Sequence, residues 1–203
     1  PMKRGGKSAV AAAFLLAVGA MGAYIMIHGF SARERPTIVE AFIARHLRHI
    51  AVPRSQRHMV NPVRATPEIF LEARAHFADH CAICHGNDGR GQTEIGQNLY
   101  PKAPDMRQSA TQSLCDGELF YIIHNGVRFT GMPAWGDDPP EKGVDSWKLV
   151  HFIRHLPAIS ADEVEHMKEL NPKSPADLAE EEEIRKFLLG DDSQPAEDGH
   201  KHH

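Results

Sequence analysis

Cysteine is scarce in this chain. Its 203 residues contain three, at positions 81, 84 and 115. A zinc site would need a second cysteine or histidine pair beside Cys81 and Cys84, and Cys115 stands alone. A thioredoxin-like dithiol would want a strand–helix–strand setting, and no such pattern surrounds the two cysteines. Charge is missing altogether between Ala9 and Phe30. Acidic residues are rare before position 67, where 10 basic side chains face 2 acidic ones, net +8. Residues 67–156 are net −4 and residues 157–203 net −8. An acidic chain with a long uncharged segment near its N-terminus is a poor nucleic-acid binder, so no nucleic-acid partner is expected.

What is present is concentrated in Cys81-Ala82-Ile83-Cys84-His85. C-x-x-C-H is the attachment pattern of a c-type haem. Two thiols one helical turn apart can each add to one vinyl group of a single porphyrin. The next residue, His85, then lies under the ring, where an imidazole nitrogen can bind the iron. Further on, Gly131-Met132-Pro133-Ala134-Trp135 holds a methionine between a permissive glycine and a stiff proline. Methionines are usually core filler, which is the reading for Met106 and Met167. Met132 is instead presented by a loop and is expected to be the second axial ligand.

These residues resemble the class I monohaem cytochromes c from about Pro67 to Leu156, a little under half of the chain. In that family a helix ends in C-x-x-C-H with an aromatic four residues before the first cysteine, and Phe77 holds that place. A small residue, usually glycine, stands four earlier still. Here it is Ala73, a departure expected to loosen the crossing of the first and last core helices. The methionine loop of the family resembles Gly131 to Trp135, and its C-terminal helix matches Trp147 to Leu156. The resemblance implies an all-α cytochrome c fold around one covalent haem c.

Residues 1–8 read as a basic cytoplasmic n-region and residues 9–30 as a transmembrane anchor. Its 22 residues would span about 33 Å as a helix, close to the roughly 30 Å of a bilayer core. The rival is a cleaved signal peptide, for which Val18-Gly19-Ala20 offers a small-residue site. The apolar run continues through Tyr24 to Ile27, which favours an uncleaved anchor. Arg33, Arg35, Arg45 and Arg48 after the span outnumber Lys3, Arg4 and Lys7 before it, which taken alone would put the following chain in the cytoplasm. Haem attachment in c-type cytochromes takes place on the outer face, so the expected location is the outer, periplasmic face of a bacterial inner membrane.

Residues 31–66 read as a connector. Ile38, Val39, Phe42, Ile43 and Leu47 alternate with Arg45, Arg48 and His49 in a basic amphipathic helix suited to lipid or to a partner subunit. Pro53 to Pro67 has no apolar period and is expected to be an extended tether. In the core, residues 67–156, Thr66 should cap a helix begun by Pro67. Gly86 to Met106 should wrap the haem edge. A carbonyl near Pro101 or Pro104 should accept the second nitrogen of His85. Tyr100 is expected to be buried by packing. Asp116 to Asn125 should be helical, and Arg128 and Trp135 are candidates to bond the haem propionates. Cys115 is expected to be a free thiol. Residues 157–190 read as two further helices, begun by Ser160 with Glu163 and by Ser174 with Pro175, and expected to fold back on the core. Glu181–Arg185 and Glu182–Lys186 are their expected ion pairs. Residues 191–203 read as a disordered acidic, histidine-bearing tail.

Two function classes follow. With His85 and Met132 both on iron, no position is left for substrate, and the protein is an electron carrier, not an enzyme. Redox proteins, such as a membrane dehydrogenase or oxidase complex, and membrane lipid are then the expected partners. The alternative is a haem enzyme or gas sensor with an open sixth position. It would need distal acid–base groups, and His124 is the one histidine near the right region.

Overall fold

The computed structural model describes residues 4–29, 31–32, 34, 36–136 and 143–189. Among these, every regular element is helical. Lys3, Phe30, Arg33, Arg35, Gly190 and the tail 191–203 lie outside the described residues.

The chain opens with α1 (Arg4–His28). Its segment Ala9–Ile27 has a mean hydropathy of 2.2, and none of it is buried inside protein. Nineteen helical residues cover about 28 Å, enough by length and composition to cross a bilayer core. Next comes α2 (Ile38–Ala51), whose first turn is closed by a reciprocal cap. The Glu40 amide donates to Thr37 Oγ1 at 3.2 Å, and the Thr37 amide donates to Glu40 Oε2 at 2.6 Å.

The stretch after α2 departs from the expected tether. Val52 is buried, and a short helix α3 (Arg54–Arg57) packs on α8 (Asp116–Asn125). Gly117 makes the contact possible, because a Cβ there would run into the carbonyls of Gln56 and Arg57. Arg57 pairs with the buried Glu118 at 3.2 Å, and the Cys115 thiol donates to the Arg57 carbonyl at 2.8 Å. The Asn61 amide donates to the Trp147 carbonyl at 2.9 Å, and the His151 imidazole meets the Val63 carbonyl at 2.8 Å. Most of these bonds end on main-chain oxygen. No apolar period is needed to make them, which is why the stretch reads as a tether in sequence and docks in the structure.

The centre of the fold is the crossing of α4 (Pro67–His76) and α9 (Val144–His155). Thr66 caps α4 by accepting the Ile69 amide at 3.3 Å, with Pro67 in the first turn. Ala73 is fully buried, so its methyl is accommodated at the crossing rather than loosening it. Phe152 of α9 lies between Phe70 and Phe77, with ring centroids 5.7 and 4.9 Å away. Burying a ring of this size stabilises the fold by about 2–3 kcal/mol. On the far side Trp147 stacks on Phe120 at 4.1 Å, and Phe120 stacks on His124 at 5.0 Å. Met106 and Met167 are buried core residues.

Arg154 of α9 ties this crossing to α8 and to α7 (Ser109–Gln112). Its guanidinium donates to Asp116 Oδ1 at 2.8 and 3.0 Å, and to the carbonyls of Gln112 and Leu114. After a 3-10 turn (Leu156–Ala158), α10 (Ala161–Lys168) starts on a Ser160–Glu163 capping box and folds back on the core. Met167 seals it there, His155 meets Glu163 at 3.0 Å, and Asn87 donates to Asn171 at 2.8 Å. The last helix, α11 (Pro175–Leu189), does not fold back, and Ile184, Phe187 and Leu188 are exposed. Of its two expected pairs, Lys186 meets Glu182 at 3.2 Å. Arg185 reaches Glu182 at 4.0 Å, while Glu181 takes Lys173 from the preceding turn.

Phe152→Ala is expected to cost about 3–5 kcal/mol of stability in denaturant titration, because a ring-sized void forms between Phe70 and Phe77. Gly117→Ala forces α3 off α8 and is expected to cost about 1–3 kcal/mol. It should also speed tryptic cleavage after Arg54 and Arg57 while the helical circular dichroism stays intact.

Candidate haem site

The C-x-x-C-H turn is built by a change of helical pitch. Past His76, α4 widens into a π-helical turn (Phe77–Cys81), with the Ala82 amide bonded back to the Phe77 carbonyl, and then tightens into α5 (Ala82–His85). Such widened turns are frequent at functional sites. Phe77 and Ala78 anchor the buried side, while Cys81, Cys84 and His85 are half-buried.

The following loop grips this turn by its carbonyls. The Thr93 hydroxyl donates to the Cys84 carbonyl at 3.0 Å, and the Gly91 amide donates to the His85 carbonyl at 2.7 Å. Gly86 turns the chain at φ +72°, and Gly96 of α6 (Glu94–Asn98) sits so close to the Cys84 carbonyl that a side chain there would collide with it. At the far end of the loop Ala103 and Pro104 pass beside Gly91.

Burial lowers the pKa of His85, and the Pro104 carbonyl opposes that shift by favouring the protonated ring. Nδ1 of His85 is buried with no hydrogen bond of good geometry. Of the two prolines expected to face His85, only the Pro104 carbonyl acts on its pKa, although both prolines are exposed. Tyr100 is also exposed, against the expectation of burial. Its hydroxyl faces the Glu40 carboxylate of α2 rather than the core.

Cys81 and Cys84 are free thiols. Burial and the neighbouring Cys84 push the Cys81 thiol up to about 12, and burial raises Cys84 as well. A redox dithiol or a zinc thiolate site wants the opposite shift. Neutral thiols beside a neutral imidazole suit thioether formation and iron ligation, so these residues fit a covalent haem.

The Met132 loop is fastened at both ends. The amides of Trp135 and Gly136 donate to the carbonyls of Ile123 and His124 at 3.1 and 3.0 Å, closing the loop on the end of α8. Inside it, the Met132 carbonyl accepts from the Val127 amide at 3.1 Å, and the Met132 amide donates to Thr130 Oγ1 at 3.1 Å. Both main-chain groups of Met132 are thus held, and its half-buried side chain is presented by a fixed backbone. Gly131 lies against Leu99, where an added Cβ would come within 2.6 Å of Leu99 Cδ2. Phe129, at the tip, has φ +61° and is 93 % exposed.

Two contacts join the halves of the site. Trp135 meets His80, the residue before Cys81, edge to face at 5.1 Å. Leu99, from the loop that grips the C-x-x-C-H turn, packs on Gly131, next to Met132. The sequence signals neither His80 nor Leu99, since neither belongs to a motif. Arg128 is exposed, and Trp135 is partly buried against the core. His124 is buried between Phe120 and the glycines at 136 and 143.

An all-α domain built on a C-x-x-C-H turn with a methionine loop at the same mouth defines the class I c-type cytochromes. Residues 70–153 match the family described as cytochrome C oxidase, cbb3-type, subunit III. This match supports a c-type cytochrome domain with a haem-based electron-transfer role. Comparison with curated proteins gives no match.

Alkylation of the haem-free chain should rank the cysteines. With the Cys81 pKa at about 12 rather than 9.0, its reactive thiolate is about a thousand-fold scarcer near neutral pH than in an ordinary cysteine. Mass spectrometry with iodoacetamide should find Cys81 modified last. Its rate should rise about tenfold per pH unit up to that pKa.

Proposed function

We propose that the chain is a membrane-anchored electron-transfer cytochrome with one covalent haem. Cys81 and Cys84 would form the thioether links, and His85 and Met132 would be the axial ligands. The bound haem supplies a one-electron couple at its iron. The residues around it set that couple and exclude other chemistry. The Pro104 carbonyl acts on the His85 ring and, by accepting its Nδ1–H, would make the imidazole a stronger donor. Two main-chain hydrogen bonds hold the backbone that presents the Met132 thioether, and ligation by that sulfur would leave the iron no open position for substrate. Methionine ligation favours a higher potential than a second histidine would.

The joining of the two halves through His80–Trp135 and Leu99–Gly131 supports this reading most directly, since the neighbours of Met132 touch residues that flank or grip the C-x-x-C-H turn. The haem-enzyme alternative loses its one candidate acid–base group, because His124 is taken up by stacking in the core. The apolar helix α1 supports anchoring, with the haem domain on the outer face of the membrane. The matching family is described as a subunit of a cytochrome oxidase, which supports a partner in a membrane oxidase complex. Arg128 and Trp135 remain candidates for the propionates, with Trp135 the better placed beside His80.

The full chain, matured with haem and held in detergent, should show a sulfur-to-iron charge-transfer band and bind no carbon monoxide. Met132→Ala should lose the band, bind carbon monoxide and shift to lower potential. A wild-type protein that is folded yet high-spin, or that readily binds carbon monoxide, would overturn the His/Met assignment.

A further inference from the structure

The helix α2 carries an apolar side that the protein leaves exposed. Ile38, Val39 and Ile43 are 87, 66 and 49 % exposed, and with Phe42 they fall on one half of the helix at 100° per residue. Among the described residues, no other helix packs extensively on α2. From the haem domain, the Tyr100 hydroxyl meets Glu40, which lies beyond the edge of that apolar half. The apolar half is turned away from the haem domain.

Three observations name its occupant. The membrane-crossing helix α1 ends at His28 and α2 begins at Ile38, so nine residues separate them. Fully extended, that link reaches only about 30 Å, which keeps the start of α2 near the bilayer surface. The sequence of α2 also contains Arg45 and Arg48, within a region of net +8 that suits anionic headgroups. Finally, α2 ends at Ala51, and Val52 is already buried, with α3 docked on α8 immediately after. No free tether remains between the helix and the haem domain.

We propose that α2 lies in the plane of the membrane interface, apolar side in the lipid, and holds the haem domain against the bilayer in one orientation. The ligand of this surface is an anionic phospholipid bilayer. Through the docked segment from Val52 to Val63, the tilt of α2 becomes the tilt of the haem crevice. The domain therefore meets partners that sit in the same membrane and does not swing out to reach them. The inference rests on the membrane reading of α1 and is independent of the iron ligand set.

The test uses the full haem-loaded chain in phosphatidylcholine–phosphatidylglycerol nanodiscs, with Cys115→Ser and a single spin label at Ile43→Cys or Ala44→Cys. Label 43 should be several-fold more open to oxygen than to a water-soluble nickel chelate, and label 44 the reverse. Equal exposure of both labels to nickel overturns the proposal, as does a label 43 shielded from both reagents. In oriented bilayers of the same lipids, the Soret band should show linear dichroism. Val39→Glu with Ile43→Glu should abolish it while the visible spectrum stays unchanged. Dichroism that survives this pair overturns the fixed orientation. A chain that takes up no haem shows no Soret band at all, which separates failure of the haem reading from failure of this one.

Discussion

The packing of α9 across α4 is the constraint on which the rest of the structure depends. Phe152 between Phe70 and Phe77, over the buried methyl of Ala73, fixes the direction in which α4 ends. That direction aims the π-helical turn, and the turn sets Cys81, Cys84 and His85 on one side of the chain. Two residues further along α9, Arg154 holds the first residues of α8, whose last carbonyls in turn hold the Met132 loop. Both halves of the haem site are thus positioned from one interlocked crossing, whose Phe77 is the first residue of the turn that carries Cys81.

The electrostatics of the site follow from burial more than from charge. The Cys81 thiol is pushed up to about 12 and the His85 imidazole is pushed down, so both are neutral at ordinary pH. Groups in that state suit covalent attachment and metal binding but not acid–base turnover. The fixed main chain around Met132 adds rigidity. Electron transfer needs little more from a protein than a closed, rigid and apolar surround for its cofactor.

The helices of the core were legible because their residues repeat at helical spacing and their ends carry strong signals. Phe77, Phe120, Trp147 and Phe152 sit on stripes, while Thr66 with Pro67 and Ser160 with Glu163 mark starts. The C-x-x-C-H and G-M-P-A-W stretches announced the site. What escaped the sequence was carried by main-chain atoms or by single contacts. The docking of residues 53–63 rests on carbonyls and on the missing side chain of Gly117, and neither has a periodic signature. The choice of Pro104 over Pro101 turns on one carbonyl. The pairing of His80 with Trp135 joins residues 55 apart that share no motif. For α11, the apolar pattern foretold a helix, but the expected return to the core is not made, because nothing in that pattern distinguishes a side covered by the core from one left exposed.

Charge and hydropathy along the chain make a gradient, from the apolar, basic N-terminal part to the acidic α11, with the haem domain between them. On this reading the domain carries one haem bound through Cys81 and Cys84. Intact-mass spectrometry of the matured chain after denaturation tests it most directly. The expected mass is that of the polypeptide plus a single haem, retained through acid–acetone extraction and lost when both cysteines are replaced by serine. A bare polypeptide mass, or haem removed by extraction, would contradict it.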